Sequence, residues 1–336
     1  MSDLNSWLAA MPKAELHLHI DGSLQAHRLL QLAQKNSVDI PYDSIESIEA
    51  AYNFSNLQSF LDLYYLGASV LREEQDFYLL MKDYLDKCRE QNIVHTEIMV
   101  EPQTYLPYGV TMATVLNGFR AAIQDAKEEW GQSALMILSM LRHLSEDEAL
   151  DTLKSAEPFR DDFIAIGLAS SEQGNPPGKF ERLYQEARAQ GYRLIAHAGE
   201  EGPADYVWKT IQLLKVDRID HGVRSIDDPT LMQYLAEHQI PLTVCPLSNI
   251  RLRVFDTMAD HTLLQMLEQG LCVTVNSDDP TYFGGFMNEN FAALADELAL
   301  SKPQAIQMAR NSFTASFLSE DSKRVFIQQL DEYAGQ

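Results

Sequence analysis

Short apolar runs, often β-branched, recur along the chain, each followed by a polar turn and then a longer amphipathic stretch. The runs fall at residues 14–19, 93–100, 135–140, 163–168, 192–197, 218–220, 241–244 and 271–276. Between them lie helix-length segments, among them 59–90, 113–130, 180–190, 204–214, 230–238 and 261–269. Gly191 and Gly270 stand just before strands, where a helix C-cap glycine is expected. Eight strands alternating with helices is the count of an α/β fold of the (β/α)8 TIM-barrel type. The interval 25–91 holds more helix than one strand–helix unit requires. It reads as a helical insertion after the first strand, placed to cap the barrel mouth. The tail, 301–336, reads as helix packed outside.

No linker or low-complexity segment divides the chain, so residues 1–336 are expected to form a single barrel domain. A length of 336 residues with 46% apolar content suits that size. Acidic residues number 49 against 26 basic, a formal charge of −23. Nucleic-acid partners and anionic membrane surfaces are disfavoured, because both are held by basic surface and none accumulates here. Cys88, Cys245 and Cys272 lie far apart with no Cys-x-x-Cys pair, so neither a disulfide framework nor a cysteine zinc site is suggested. The N-terminus lacks a secretory pattern, and no apolar run approaches the length of a membrane span. A cytoplasmic protein is expected. The oligomeric state is left open.

The polar residues of interest fall at the C-terminal ends of the expected strands, the face on which such barrels build active sites. In Glu15-Leu16-His17-Leu18-His19 the two histidines are two apart, so on a strand both project to one face. Two adjacent imidazoles suit zinc or a similar divalent metal. Taken alone, the pair fits two satisfied core histidines equally well. His197-Ala198-Gly199-Glu200 adds a further candidate ligand in His197 and a carboxylate, Glu200, suited to proton transfer. Asp220-His221-Gly222 supplies a histidine for a base near water. Ser277-Asp278-Asp279-Pro280 supplies two carboxylates, one to ligate and one to meet substrate, although alone it also fits an Asp-Pro turn with a helix cap. Together these groups form a mononuclear hydrolytic centre.

Other chemistries fail on spacing. Gly174-Asn175-Pro176-Pro177-Gly178-Lys179-Phe180 is one residue short of a P-loop and has no Ser or Thr after the lysine. There is no Gly-x-Gly-x-x-Gly, no Gly-x-Ser-x-Gly, and no Pro-Cys-x-x-Cys. His27, His95, His143, His238 and His261 belong to no constellation.

With Pro12 to Ser23 around the first histidine pair, these motifs resemble the adenosine/adenine deaminase family of the amidohydrolase superfamily, in order from residue 12 to about residue 290. The resemblance implies a zinc-bearing (β/α)8 barrel of the metal-dependent hydrolase type. It implies one Zn2+ per chain on His17, His19, His197 and Asp278. His221 would hold and help deprotonate the attacking water, and Glu200 would protonate purine N1 as hydroxide adds to C6. Asp279 would bond N7. No lysine ends the fourth strand, Gly167-Leu168-Ala169-Ser170, so the two-metal arrangement of many amidohydrolases is not expected.

The segment from Gly167 to Pro177 is similar to the Ser-Ser-Glu loop of the adenine deaminase subgroup. Ser170 stands where adenosine deaminases place a glycine whose N–H meets N3, and its side chain would crowd a ribose. Asp21, where the adenine type has glutamate, and Ala169, where it has aspartate, depart from that pattern. The implied reaction is adenine to hypoxanthine and ammonia in purine salvage, with N6-substituted adenines or adenosine as competing substrates. A barrel that binds metal and purine without turnover is the remote alternative.

Overall fold

Eight parallel strands run in chain order around one sheet: β1 (Lys13–His19), β2 (Ile93–Val100), β3 (Ser133–Leu141), β4 (Phe163–Ala169), β5 (Arg193–Ala198), β6 (Arg218–His221), β7 (Leu242–Val244) and β8 (Val273–Val275). This computed structural model describes residues 3–54 and 57–335. The sheet is a (β/α)8 barrel, with helices between successive strands. Each expected run holds a strand, and only the last two shrink, to three residues each. Gly191 and Gly270 adopt φ of +79° and +85°, the left-handed backbone that ends a helix cheaply only at glycine.

The seam between β1 and β8 is closed by side chains as much as by backbone. The Leu16 N–H donates to Asn276 Oδ1 at 2.8 Å, and the Ser277 N–H donates to Glu15 Oε1 at 3.0 Å. Only beyond these do backbone bonds take over, from Asp278 N–H to the His17 carbonyl and from His19 N–H to the Asp278 carbonyl. From outside, the tail helix Lys302–Ala315 lies across the same seam. Its Ser312 Oγ accepts from the Ala14 N–H, and its Asn311 amide donates to the Val273 carbonyl.

The interior is filled. Met99, Ile137, Ala165 and Ile195 form one apolar layer, and a buried Arg218–Glu97 pair at 2.6 Å is part of the packing inside. His95, expected to lie outside any constellation, bonds Ser133 at 2.8 Å and stands 3.3 Å from Glu97.

The segment expected as one helix, 59–90, is two: Leu57–Ser69 and Glu74–Glu90. Asp76 makes the break, accepting the N–H groups of Arg72 and Glu73, both at 3.0 Å, while the Asn36 amide takes the Val70 carbonyl at 2.8 Å. Three helices therefore precede the barrel helix proper within 25–91: Ala26–Lys35, Ile45–Ala51 and Leu57–Ser69. Glu74–Glu90 packs on β2 and on the following helix, Met112–Trp130, as a barrel helix should. Phe60, Leu61, Tyr64 and Tyr65, from Leu57–Ser69, line a pocket at the C-terminal ends of the strands.

Candidate active site

That pocket is walled by His19, His197, Glu200, His221, Asp278 and Asp279, with Glu101, Leu141, Ala169, Ser170, Ser171, Leu252 and Phe283 around them. These come from the ends of β1, β2, β3, β4, β5, β6 and β8 and from the loops beyond. Three of the strand-end residues hold left-handed backbone although none is glycine: Ser170 at φ +77°, His221 at +64° and Asp278 at +63°. Such conformations cost about 1–3 kcal/mol each and collect at functional sites.

The tautomers of the three histidines follow from their partners. Thr243 donates its hydroxyl to Asp220 Oδ1 at 2.9 Å, so it accepts from His17 Nδ1 at 3.0 Å. The His17 Nδ1 also faces the Thr243 carbonyl, which can only accept. His17 therefore carries its proton on Nδ1. His19 Nδ1 donates to Glu101 Oε1 at 2.8 Å, and His197 Nδ1 stands 3.5 Å from Asp220 Oδ2. His17 thus offers a bare Nε2 lone pair, and the Nε2 atoms of His19 and His197 turn toward the same point.

Around that point the spacings suit a metal. His197 Nε2 is 3.2 Å from both His17 Nε2 and His19 Nε2. Asp278 Oδ1 is 3.3 Å from the same two nitrogens. Bare lone pairs this close repel unless a cation lies between them. Tetrahedral zinc, with bonds near 2.0–2.1 Å, requires ligand–ligand edges of about 3.3 Å. The donor set of three imidazoles and one carboxylate fits that ion, and the Nδ1 partners supply the orienting contacts metal histidines need. His221 also lies close: one potential ligand atom from each of His17, His197, His221 and Asp278 falls within 4.8 Å of the others.

Proton-handling groups stand beside this cluster. His221 Nε2 is 3.3 Å from Glu200 Oε2 and 3.8 Å from Asp278 Oδ2. Burial, reinforced by Asp278 and Glu172, pushes the Glu200 carboxyl well above its ordinary range. Burial likewise raises Asp279, outweighing the attraction of His19. His221 is pushed the other way, well below the ordinary histidine value, by burial and by His17. Burial would raise Asp278, but its neighbours His17, His19 and His221 outweigh that and hold it low. The site thus sets two carboxyls that hold their protons more tightly than usual against an imidazole and a carboxylate that hold theirs less tightly.

Of the nine residues singled out in the sequence, eight gather here. His17 sits beneath the pocket wall as part of the donor cluster. Asp21 does not line the pocket. The helical turn Ile20–Ser23 that follows β1 buries it, and its carboxylate is taken by the hydroxyls of Tyr105 and Tyr64. Ser170 lines the pocket, with its Oγ 2.8 Å from His143 Nδ1.

Sequence reasoning missed a ring of supporting groups. Glu101 holds His19, Thr243 holds His17, and Ser248 donates to Asp278 Oδ2 at 2.6 Å. Glu172 accepts the Gly199 and Glu200 N–H groups. Glu101 had the same signal as the chosen residues, an acidic group just past a strand. Glu172 was visible only as the glutamate of the Ser-Ser-Glu loop, with no role attached, and Thr243 and Ser248 act from neighbouring strands and loops that no spacing marks.

Comparison with known proteins agrees with this geometry. The family model described as adenosine deaminase matches residues 12–333. An adenine deaminase of Hahella chejuensis is 53% identical over 330 residues, covering 98% of this chain and 99% of its own length. The crystal structure of adenine deaminase from Arthrobacter aurescens superposes with a TM-score of 0.95 at 46% identity, covering 97% of this chain and all of that one. A Burkholderia ambifaria amidohydrolase with bound zinc gives a TM-score of 0.91 at 26% identity, covering 100% of this chain and 94% of that one. With the barrel and its strand-end histidines in place, matches spanning nearly the whole chain make it a member of the adenosine deaminase family.

Proposed function

We propose that the chain hydrolyses adenine to hypoxanthine and ammonia. The observation that carries this reading is the donor cluster set beside a buried Glu200, whose carboxyl pKa burial raises, and His221 3.3 Å from it, whose imidazole pKa burial lowers. The base as substrate follows the relatives, which are named adenine deaminases and match over almost the full chain.

His17, His19, His197 and Asp278 would hold one zinc ion. Bound there, the ion supplies the positive charge that makes water acidic enough to react near neutral pH. His221, neutral through burial, receives the proton of the water that adds to C6. Glu200 gives its proton to N1, so the ring nitrogen gains no negative charge as the C6 carbon becomes tetrahedral. On collapse the amino group takes the proton held by His221, the C6–N6 bond breaks to release ammonia, and the C6 hydroxyl gives its proton back to Glu200 as the carbonyl forms. Asp279, its carboxyl raised by burial, would donate to N7, and the Ser170 N–H would meet N3. Asp21 acts at one remove, by fixing Tyr64 in the pocket wall. Leu57–Ser69 caps the site with its aromatic face. The three cysteines are free and buried, which accords with a cytoplasmic location, and among the described residues no helix is long and apolar enough to cross a membrane.

The test is ammonia release by the zinc-loaded protein given adenine, adenosine and N6-methyladenine separately at equal concentration. Adenine is expected to be deaminated at least about a hundredfold faster than adenosine, a discrimination within reach of a single buried polar contact. Faster release from adenosine or the N6-methyl base overturns the substrate and leaves the chemistry.

A further inference from the structure

Three acidic residues that line the pocket each keep one buried oxygen without a hydrogen-bond partner among the described residues: Glu200 Oε1, Asp279 Oδ1 and Glu101 Oε2. The reading above gives the first two to N1 and N7 of the base. Nothing yet uses the third. Glu101 is only 1% exposed, and its Oε1 is already occupied in accepting from His19 Nδ1 at 2.8 Å. As a carboxylate, the group has only acceptor capacity left to offer at Oε2. An acceptor stripped of water and left unpaired is costly to keep, which points to a donor on the ligand.

A purine base offers few donors. The exocyclic amine is the leaving group. That leaves the N–H of the five-membered ring. A free base has this proton; a nucleoside has a glycosidic carbon in its place. Position agrees with the match. Asp279 and Glu101 both adjoin His19, one within the same potential ligand group and the other through the Nδ1 bond. Glu200 stands instead beside His221. With N1 of the base at Glu200, Asp279 and Glu101, the two pocket carboxyls beside His19, would meet its imidazole half.

We propose that Glu101 Oε2 accepts the imidazole-ring N–H of the free base and so distinguishes base from nucleoside; this rests on the adenine reading above. A substituent on that nitrogen meets the carboxylate twice over, by removing the only donor and by filling its space. Glu101 thus has two jobs at once, orienting His19 with one oxygen and reading the substrate with the other.

The experiment compares kcat/KM for adenine and 9-methyladenine in the zinc-loaded wild type, Glu101→Ala and Glu101→Gln, with metal content measured for each. Any loss that comes from disturbing His19 falls on both substrates and cancels in their ratio. The wild type is expected to prefer adenine by on the order of 10⁴. Glu101→Ala should shrink that preference at least about a hundredfold, since acceptor and obstruction go together. Calorimetric binding of hypoxanthine and 9-methylhypoxanthine to wild type and Glu101→Gln gives a readout independent of turnover, and the preference for hypoxanthine should weaken in the variant. A preference unchanged in both variants, with activity lost equally on both substrates, overturns the proposal and leaves Glu101 as a support for His19 alone. A wild type that accepts 9-methyladenine as well as adenine overturns it without any variant. A wild type inert on adenine instead defeats the adenine reading on which it rests.

Discussion

The carboxylate of Glu172, in the loop after β4, holds the backbone of Glu200, in the loop after β5, by accepting its N–H at 2.8 Å and that of Gly199 at 3.0 Å. The position of the proton donor is therefore set by a neighbouring loop that also carries Ser170 and Ser171 to the pocket. Glu172→Gln keeps the size but offers one acceptor for two N–H groups. We expect kcat on adenine to fall about 10–100-fold with KM changed little and zinc content intact, because small misplacement of a reacting group costs that much. Steady-state kinetics with metal analysis checks it, and a rise in KM alone counts against the positioning role.

Glu200→Gln should still bind metal and purine but lose about 10²–10⁴-fold in kcat, the range general acid catalysis supplies. The sign of the pH dependence follows from the raised Glu200 carboxyl. The protonated form is the donor, so kcat/KM holds below that elevated pKa and falls as pH rises through it. The variant has nothing to titrate there, and its profile should lack that alkaline limb.

Asp220 touches neither pocket nor substrate, yet it braces two donors. It accepts from Thr243 behind His17 and stands 3.5 Å from His197 Nδ1. Asp220→Asn should weaken zinc affinity about 10–100-fold, as loss of such outer contacts does. Competition with a chelator of known affinity reads this directly, and unchanged affinity would remove Asp220 from the site.

Much of this was legible in the sequence. The strands announced themselves as short apolar runs, and four of them, β1, β5, β6 and β8, carry His17, His19, His197, Glu200, His221, Asp278 and Asp279 at or just past their ends. The break at 70–73 was hidden, because it is made by Asp76 and by Asn36, a residue far off in the chain. Asp21 was singled out by resemblance, which says nothing of Tyr64 and Tyr105, whose hydroxyls donate to its carboxylate. Thr243, Ser248 and Glu172 matter only once strands from different parts of the chain lie side by side.

Asn276 is fully buried and serves the seam through its side chain, accepting from Leu16 and donating to Thr274 Oγ1 at 2.9 Å. Asn276→Ala strands the Leu16 N–H in the interior, at a cost of about 1–3 kcal/mol. A urea titration should show the loss as a lower midpoint with unchanged slope.

Lys13 has no exposed surface and donates to the carbonyls of Gln91 at 2.6 Å and Ala9 at 3.3 Å. Burial lowers its pKa from 10.5 to about 7, against the pull of Glu15 and Glu289. Between those values the unfolded chain holds a proton that the folded chain does not, so this residue makes stability rise with pH from about 7 upward. In Lys13→Met that component disappears. The difference in urea midpoint between wild type and variant should therefore drift in favour of the wild type from pH 7 to 9.5, and a constant difference would sink the prediction.

The seam has a consequence for synthesis. β1 pairs with β2 on one side, and its other edge is met by residues 276–278, up to 262 positions later in the chain, and from outside by Ser312. A ribosome delivers β1 early and its partner near the end. Throughout most of translation the strand carrying His17 and His19 keeps an open edge, the condition under which strands recruit wrong partners. The polar seam residues Glu15 and Asn276 then act as a selective lock. A foreign apolar strand would bury Glu15 without its Ser277 partner, so the edge that waits longest is also the one hardest to close wrongly.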